Sequence, residues 1–319
     1  RDPQTQIHRR KGNIEAALQT LKGLYGNDPD NLSLRNDYAV VAAWGSRNEL
    51  TDTLLSTSDP ESLPDHVAIT YARSLRDLGQ WQRSVGIYDA LLARDATLFE
   101  GHLGRILVLA DAGRYAEAEA ALSVMQENPE LATTSGGQIA LACGYIAERQ
   151  RLFTRALACY NKGLRQFPGN PELTKRRILT ASALGATGFA RQETLANPGL
   201  LSANEQVQLE LNAAATQIRW STLPAPRGSI NPAEQIIASY ASITPITGAH
   251  QRQLRYDRIV ALAAAREMES AVEEFEATRE SDGLDAIPYY VLGAAGQAYL
   301  YIDEGWLAEE CYRAALAKL

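Results

Sequence analysis

The amino-acid sequence predicts an all-α fold built from stacked pairs of helices. Three observations support this prediction: small residues recur at a nearly constant interval, a turn precedes each of them in phase, and no segment alternates apolar and polar residues over the length of a strand. With 319 residues, 45% of them apolar, the chain can bury an extended core. Essentially no β-sheet is expected.

The interval between the small residues identifies the repeat. It measures 34, 38 and 34 residues between successive members of the series Ser84, Ala118, Ala156 and Ala190. A small residue in the second helix of a pair lets the first helix approach, and a large residue four positions later, such as Tyr88 or Tyr160, fills the space one turn on. First helices have small positions of their own, such as Gly144 and Gly296. Since the tetratricopeptide period is about 34 residues, we predict a tetratricopeptide-repeat superhelix of about eight helix pairs.

The first irregularity of the repeat lies near the amino terminus. Ala17 precedes Ser84 by 67 residues, which is close to two periods, so an intermediate repeat is expected. Residues 32–58 supply it as a degenerate pair, with Tyr38 and Ala39 at the core positions of its first helix.

The second irregularity lies between Ala190 and the later small residues Ala271 and Ala308. The rhythm breaks over residues 197–232, where residues 221–229 have the Ser, Pro and Gly content of an exposed loop and Asn231–Pro232 has the form of a cap and first turn. We therefore predict an N-terminal superhelix over residues 1–220, an irregular linker over 221–232 and further tetratricopeptide-like helices over 233–319.

Charge and cysteine content narrow the possible functions. The net charge of −7 and the pI near 5.3 disagree with the basic face of a general nucleic-acid binder. The cysteines are too few for a disulfide scaffold, lack metal-ligand spacing and are odd in number, so at least one is unpaired. We expect all three to be small buried hydrophobic residues: Cys143, Cys159 and Cys311. No apolar run is long enough for a transmembrane helix.

No motif for catalysis is found. The four histidines lack a second histidine at metal-ligand spacing, and the chain has neither a Gly-x-Ser-x-Gly elbow nor a phosphate-binding loop. The carboxylate pairs Glu273–Glu274 and Glu309–Glu310 fall on surfaces of second helices, outside any dry pocket that acid–base catalysis would need. Gly101 and Gly104 are expected to serve close helix packing. We therefore expect no enzymatic activity, no metal and no cofactor.

The groove of a helical solenoid is its usual binding surface. Counting back from each small residue places a mixture of polar and aromatic side chains on the groove-facing side of the first helices, which suits a partner peptide or a sugar polymer. The Lys/Asn clamp with which some tetratricopeptide domains bind a C-terminal carboxylate is not visible there. The candidate groove residues are Asn36, Trp44, Arg73, Arg76, Asp77, Tyr145, Glu148, Arg149 and Lys175.

Several runs go beyond the generic repeat. The most specific are Asp37-Tyr38 followed by Trp44-Gly45-Ser46-Arg47, and Ala298-Tyr299-Leu300-Tyr301-Ile302; others are Tyr71–Arg76, Leu109–Gly113, Leu254–Asp257 and Ile287–Tyr290. Over most of the chain, from Gly12 to about Leu316, this succession resembles the N-terminal periplasmic region of the poly-β-1,6-N-acetyl-D-glucosamine export porin family (PgaA/HmsH type).

The resemblance implies a periplasmic scaffold. In that family a tetratricopeptide superhelix precedes an outer-membrane β-barrel, recruits the periplasmic polysaccharide deacetylase and guides partly deacetylated poly-β-1,6-glucosamine polymer to the pore for the biofilm matrix. The barrel would be a partner outside this segment, because the chain lacks its alternating strands. The start of the chain without an initiator Met or signal peptide then reads as a trimmed periplasmic part of an outer-membrane protein. The alternative is a scaffold from a cellulose or alginate type of exopolysaccharide exporter.

Overall fold

A computed structural model describes residues 3–129, 131, 137–221, 238 and 240–319. Regular structure in these residues is helical, and they contain no strand. The all-α, tetratricopeptide-type fold is thus confirmed. The helices are α1 (Pro3–Asn27), α2 (Leu32–Trp44), α3 (Asn48–Leu55), α4 (Asp65–Asp77), α5 (Trp81–Arg94), α6 (Phe99–Asp111), α7 (Tyr115–Glu127), α8 (Gln138–Arg149), α9 (Phe153–Gln166), α10 (Pro171–Ala183), α11 (Thr187–Ala196), α12 (Ala203–Ser221), α13 (Gly248–Ala264), α14 (Met268–Asp282), α15 (Tyr289–Tyr301) and α16 (Gly305–Leu316), with short 3₁₀ helices at Pro60–Ser62 and Leu284–Ala286.

The turn inside each helix pair has the same backbone geometry throughout the described residues. One residue adopts a left-handed conformation, and the next N–H bonds to the carbonyl five residues earlier, as Gln80 N does to Leu75 O at 2.8 Å. This pattern ends a helix by satisfying its last carbonyl groups. Glycine has the least strain at such a position, yet four of the seven residues are not glycine. The seven residues are Ser46, Gly79, Gly113, Arg151, Gly185, Arg266 and Asp303.

The small residues of the second helices lie in the core, as predicted. Ala17 is the exception, because it is half-buried and the turn predicted before it is replaced by α1, which is continuous from Pro3 to Asn27. The later members of the series are fully buried: Ser84, Ala118, Ala156, Ala190, Ala271 and Ala308. The facing small positions are also confirmed, because a Cβ at Gly104 would overlap the ring of Tyr88 and one at Gly144 would overlap the ring of Tyr160. At Gly296 a Cβ would lie 2.8 Å from the Tyr312 ring. These glycines are needed where two helices approach most closely.

The prediction of at least one unpaired cysteine left the pairing of the others open; the structure pairs two of them, and Cys143 is half-buried instead of buried as expected. Cys143 on α8 and Cys159 on α9 form a disulfide, with Cα atoms 5.8 Å apart. The close approach of Gly144 to Tyr160 causes this, because the cysteines directly precede those two residues and are brought within bonding range. Cys311 is free and buried, and burial raises the pKa of its thiol to about 11.

The chain divides into two compact units, residues 1–174 (unit 1) and 175–319 (unit 2). The predicted boundary at residues 221–232 stays a prediction, since α12 extends to Ser221 and residues 222–237 lie outside the described part. The predicted helix start at Asn231–Pro232 lies outside it too. Among the described residues, no helix is both long enough and apolar enough to cross a membrane.

Candidate functional site

The candidate site is the side of the first helices that carries the predicted groove residues. We call it the groove face. Its positions are counted back along each first helix from the left-handed residue of the turn that follows. It consists of the residues 2–3, 6, 9–10 and 13 positions before that turn residue. These positions follow the 3.6-residue helical period and so lie on one side of each helix. In unit 1 the groove face belongs to α2, α4, α6 and α8.

Three successive first helices of unit 1 are joined by one charged cluster on this face. Asp111 of α6 accepts hydrogen bonds from Arg76 Nε of α4 at 2.5 Å and from the Tyr145 hydroxyl of α8 at 2.5 Å. Arg76 Nη2 also donates to the Tyr145 hydroxyl at 2.8 Å, and Arg149 Nε lies 3.1 Å from Asp111 Oδ1. The structure therefore brings together three predicted residues, Arg76, Tyr145 and Arg149, around a fourth that was not predicted.

In the cluster, two guanidinium groups share one carboxylate. Burial opposes the charge of Arg76, but its hydrogen bond to Asp111 and the neighbouring negative charge hold its pKa above the ordinary value. Burial, followed by the hydrogen bond to Asp111, raises the pKa of Tyr145. The Arg76 guanidinium also lies over the Tyr145 ring, 5.5 Å from its centroid, a cation–π arrangement. The cluster holds α4, α6 and α8 in register, and its polar atoms are already paired.

The remaining predicted residues of unit 1 are spread along the groove face. Trp44 is 67% exposed, and Arg73 is exposed beside the Tyr88 hydroxyl. Asp77 accepts a hydrogen bond from Asn48 at 3.4 Å. The side-chain oxygen of Asn36 is buried without a partner among the described residues, and Glu148 is half-buried.

Lys175 belongs to unit 2 and pairs with Glu205 at 2.8 Å. Asp111 was missed, although a signal was available in the sequence. It stands two positions before Gly113, as Asp77 does before Gly79 and Arg149 before Arg151. A register counted from the turns would have found it.

In unit 2 a row of neutral amides runs across α10, α12 and α13. Gln208 of α12 donates to Gln253 of α13 at 3.2 Å and to Asn212 at 3.1 Å. Asn212 donates to Ser182 of α10 at 3.1 Å, and Gln253 donates to Asp257 at 3.4 Å. The sequence predicted none of these five residues.

The amide row ends at a buried carboxylate. Asp257 is 6% exposed, and burial raises its pKa to about 6, against the opposing effect of the hydrogen bond from Gln253. Burial also raises the pKa of Tyr290, to about 12, and the charge of Asp257 adds to that shift. No arginine or lysine is paired with Asp257 in the described part of the chain. The carboxylate is therefore surrounded by neutral hydrogen-bonding groups.

The described residues contain no group of three or more His, Cys, Asp or Glu side chains placed to hold a metal ion. What they present on the groove face are hydrogen-bonding groups, charges and aromatic rings. Such groups bind a peptide or a saccharide through non-covalent contacts.

Comparison with known proteins agrees with the repeat. A tetratricopeptide-repeat family model matches residues 70–132. A crystal structure of a tetratricopeptide repeat protein from Parabacteroides merdae superimposes with a TM-score of 0.53 at 12% identity, covering 81% of this chain and 96% of that one. At that identity the likeness concerns the fold alone.

Two curated relatives are similar in sequence. The poly-β-1,6-N-acetyl-D-glucosamine export proteins of Escherichia coli K12 and O157:H7 are each 30% identical to this chain over 111 residues. That stretch is 34% of this chain and 13% of the relative, so the similarity covers a small part of the curated protein. The chain is thus a tetratricopeptide-type helical protein with partial similarity to a polysaccharide export protein.

Proposed function

We propose that this chain is a periplasmic scaffold of a poly-β-1,6-N-acetyl-D-glucosamine exporter. It recruits the periplasmic deacetylase and guides partly deacetylated polymer towards the outer-membrane pore, so that the polymer reaches the biofilm matrix. The observation that carries this proposal is the 30% identity over 111 residues to the Escherichia coli export proteins. The tetratricopeptide-type fold supports it, because such helix pairs present extended binding surfaces.

The disulfide supports the proposed location. Disulfides form and persist in oxidising compartments such as the bacterial periplasm and are rare in the cytosol. Cys143–Cys159 joins the two helices of one pair. A helix pair closed by a disulfide suits a protein that functions in the cell envelope.

The charge of the chain supports a cationic ligand. Deacetylated glucosamine units carry ammonium groups near neutral pH, and the net charge of −7 attracts them. In physiological salt this attraction extends over a Debye length of about 8 Å. Binding must therefore rest on contacts with individual groove residues.

Binding to the deacetylase of the same export system tests the proposal. Two exposed groove residues of unit 1, Trp44 and Arg73, are its proposed contacts, because the half-buried cluster around Asp111 is already paired. Isothermal titration calorimetry should give saturable binding, and the double variant Trp44→Ala/Arg73→Ala should weaken it about tenfold or more, as loss of an exposed aromatic and arginine contact does.

Trp306→Ala is the matched control. Trp306 is 68% exposed, like Trp44, but lies on α16, the second helix of its pair. We expect wild-type affinity from this variant. Absence of deacetylase binding at every salt concentration contradicts the recruiting role, and an equal loss from the control variant contradicts the choice of surface.

A further inference from the structure

The last described first helix, α15, has an open stripe on its groove face. The stripe consists of Tyr290, Gly293, Gln297 and Tyr301, spaced at three and four residues so that they share one side of the helix. These positions lie thirteen, ten, six and two residues before Asp303, matching the groove positions of unit 1. Tyr301 is 69% exposed and Tyr290 is 42% exposed.

The polar groups of this stripe are not engaged within the described part of the chain. Gln297 and Tyr301 are exposed and form no side-chain hydrogen bond there, in contrast to the paired cluster of unit 1. A Cβ at Gly293 would meet no atom within 4 Å, so the middle of the stripe is open. Tyr290 is positioned by Tyr289, whose ring meets it edge to face at a centroid distance of 6.0 Å.

Within the described part of the chain, the stripe lies between carboxylates that have no cationic partner. Near its start, Asp257 is close enough for its charge to act on Tyr290. At its end, the side chains of Asp303 and Glu304 are exposed and form no ion pair or hydrogen bond with other described residues. The turn that carries them is held by the hydrogen bond from Glu304 N to Tyr299 O at 2.9 Å.

We propose that Tyr290, Gln297 and Tyr301 form a binding site for a saccharide chain that carries free amino groups. The tyrosine rings bind the apolar faces of sugar rings, the amide of Gln297 bonds to hydroxyl or acetamido groups, and Asp303 and Glu304 attract ammonium groups. A saccharide fits better than a helical peptide, because the stripe has two separated rings and a bare glycine instead of a continuous apolar groove.

This inference rests on the proposed function, since it names the surface that holds the exported polymer. The probe is a β-1,6-linked glucosamine hexasaccharide, with its fully N-acetylated counterpart, titrated into the whole chain by calorimetry. Tyr301→Ala should weaken binding of both probes about tenfold, because it removes a stacking surface. Asp303→Asn/Glu304→Gln should weaken binding of the amine form alone. These residues are exposed, so the variants should keep wild-type melting temperatures.

Trp306→Ala is again the control and should bind both probes as the wild type does. Unchanged affinity in Tyr301→Ala overturns the inference, as does an equal loss in the control. If the wild-type chain binds neither probe at millimolar concentration, the inference is overturned as well. Binding of the deacetylase would then still support the scaffold role. Tighter binding of a lysine-rich peptide, with the same dependence on Tyr301, assigns the site to a protein partner and overturns the saccharide.

Discussion

In both units side-chain hydrogen bonds join neighbouring helices along the groove face, but the two units use different side chains to do so. In unit 1, Arg76, Tyr145 and Arg149 surround Asp111, so opposite charges join three first helices. In unit 2, neutral amides join α10, α12 and α13 and end at Asp257, a carboxylate with no cation beside it among the described residues. Both arrangements pair their polar groups internally, whereas Gln297 and Tyr301 of the stripe on α15 form no side-chain hydrogen bond within the described residues. The contrast indicates that density of charge on a groove is a poor guide to ligand binding when the charges are paired with one another.

The largest effect on stability is expected from removing the disulfide. Among the described residues, a disulfide is found in unit 1 and none is found in unit 2. Its cysteines are separated by 16 residues, and closing a loop of that size stabilises the folded state by about 3 kcal/mol. Cys143→Ser should lower the free energy of unfolding by that amount in urea denaturation. Reductant should bring the wild type to the same value and leave the variant unchanged. A wild type that does not respond to reductant would contradict the disulfide, and Cys311→Ala should respond as the wild type does.

Removing the centre of the charged cluster should lower the free energy of unfolding more than interrupting the amide row does. Asp111→Ala leaves the guanidinium of Arg76 half-buried without its carboxylate, which costs about 2 kcal/mol, while Asn212→Ala in unit 2 costs about 1 kcal/mol. Both values are measurable by urea denaturation. Equal losses would show that the two networks do not differ as described.

Opposite pH responses are expected from carboxylates of the two units. The pKa of Asp257 is raised to about 6 in the folded chain, so the folded state holds its proton longer and stability falls as pH rises from about 4 to 6. Asp257→Asn should therefore be more stable than the wild type by about 2 kcal/mol at pH 8, and the advantage should vanish below pH 4. Thermal unfolding of the variant and the wild type across this pH range measures the difference in stability. A difference that does not change with pH would contradict the raised pKa.

Asp52 of unit 1 provides the contrasting case. Its hydrogen bonds from Arg83 lower its pKa, so the stability it contributes is present above the pKa of the unfolded chain and lost as pH falls. Asp52→Asn should reduce stability at pH 7 and make no difference in strong acid.

The smallest effect on stability is expected from substitutions in the turns. It should be the same in both units, because their turns have the same geometry. Arg151 and Arg266 adopt left-handed conformations with φ of 60° and 63°, in which a side chain is strained. Replacing either by glycine should stabilise its unit by about 0.5–1 kcal/mol. Gly79→Ala, at the equivalent turn, should destabilise by a similar amount. Destabilisation by both glycine variants would show that their turns differ from the others.

The repeat could be predicted from sequence because its signal is local. Ser84 and Ala156 are buried where the 34-residue period places them, and Gly144 contacts Tyr160 by the rule that pairs a small residue with an aromatic one. The same rule would have placed Cys143 beside Cys159. Cysteine spacing along the chain carried no such information, because the contact arises between two helices.

The groove chemistry was harder to predict because it depends on contacts between successive pairs. Asp111 meets Tyr145 across 34 residues of sequence, and Gln208 meets Gln253 across 45. The second contact also involves α12, which lies where the repeat rhythm breaks, so no register was available there. The candidate residues, placed by counting back from each small residue, therefore lie mostly in unit 1.

The central claim is that unit 2 holds the saccharide and that the charged cluster of unit 1 does not. Hydrogen–deuterium exchange of the whole chain, with and without the glucosamine hexasaccharide, tests it most directly. We predict added protection in α13 and α15 and in the turn that contains Asp303, with no change in α4, α6 and α8. Protection confined to α4, α6 and α8 would contradict the claim.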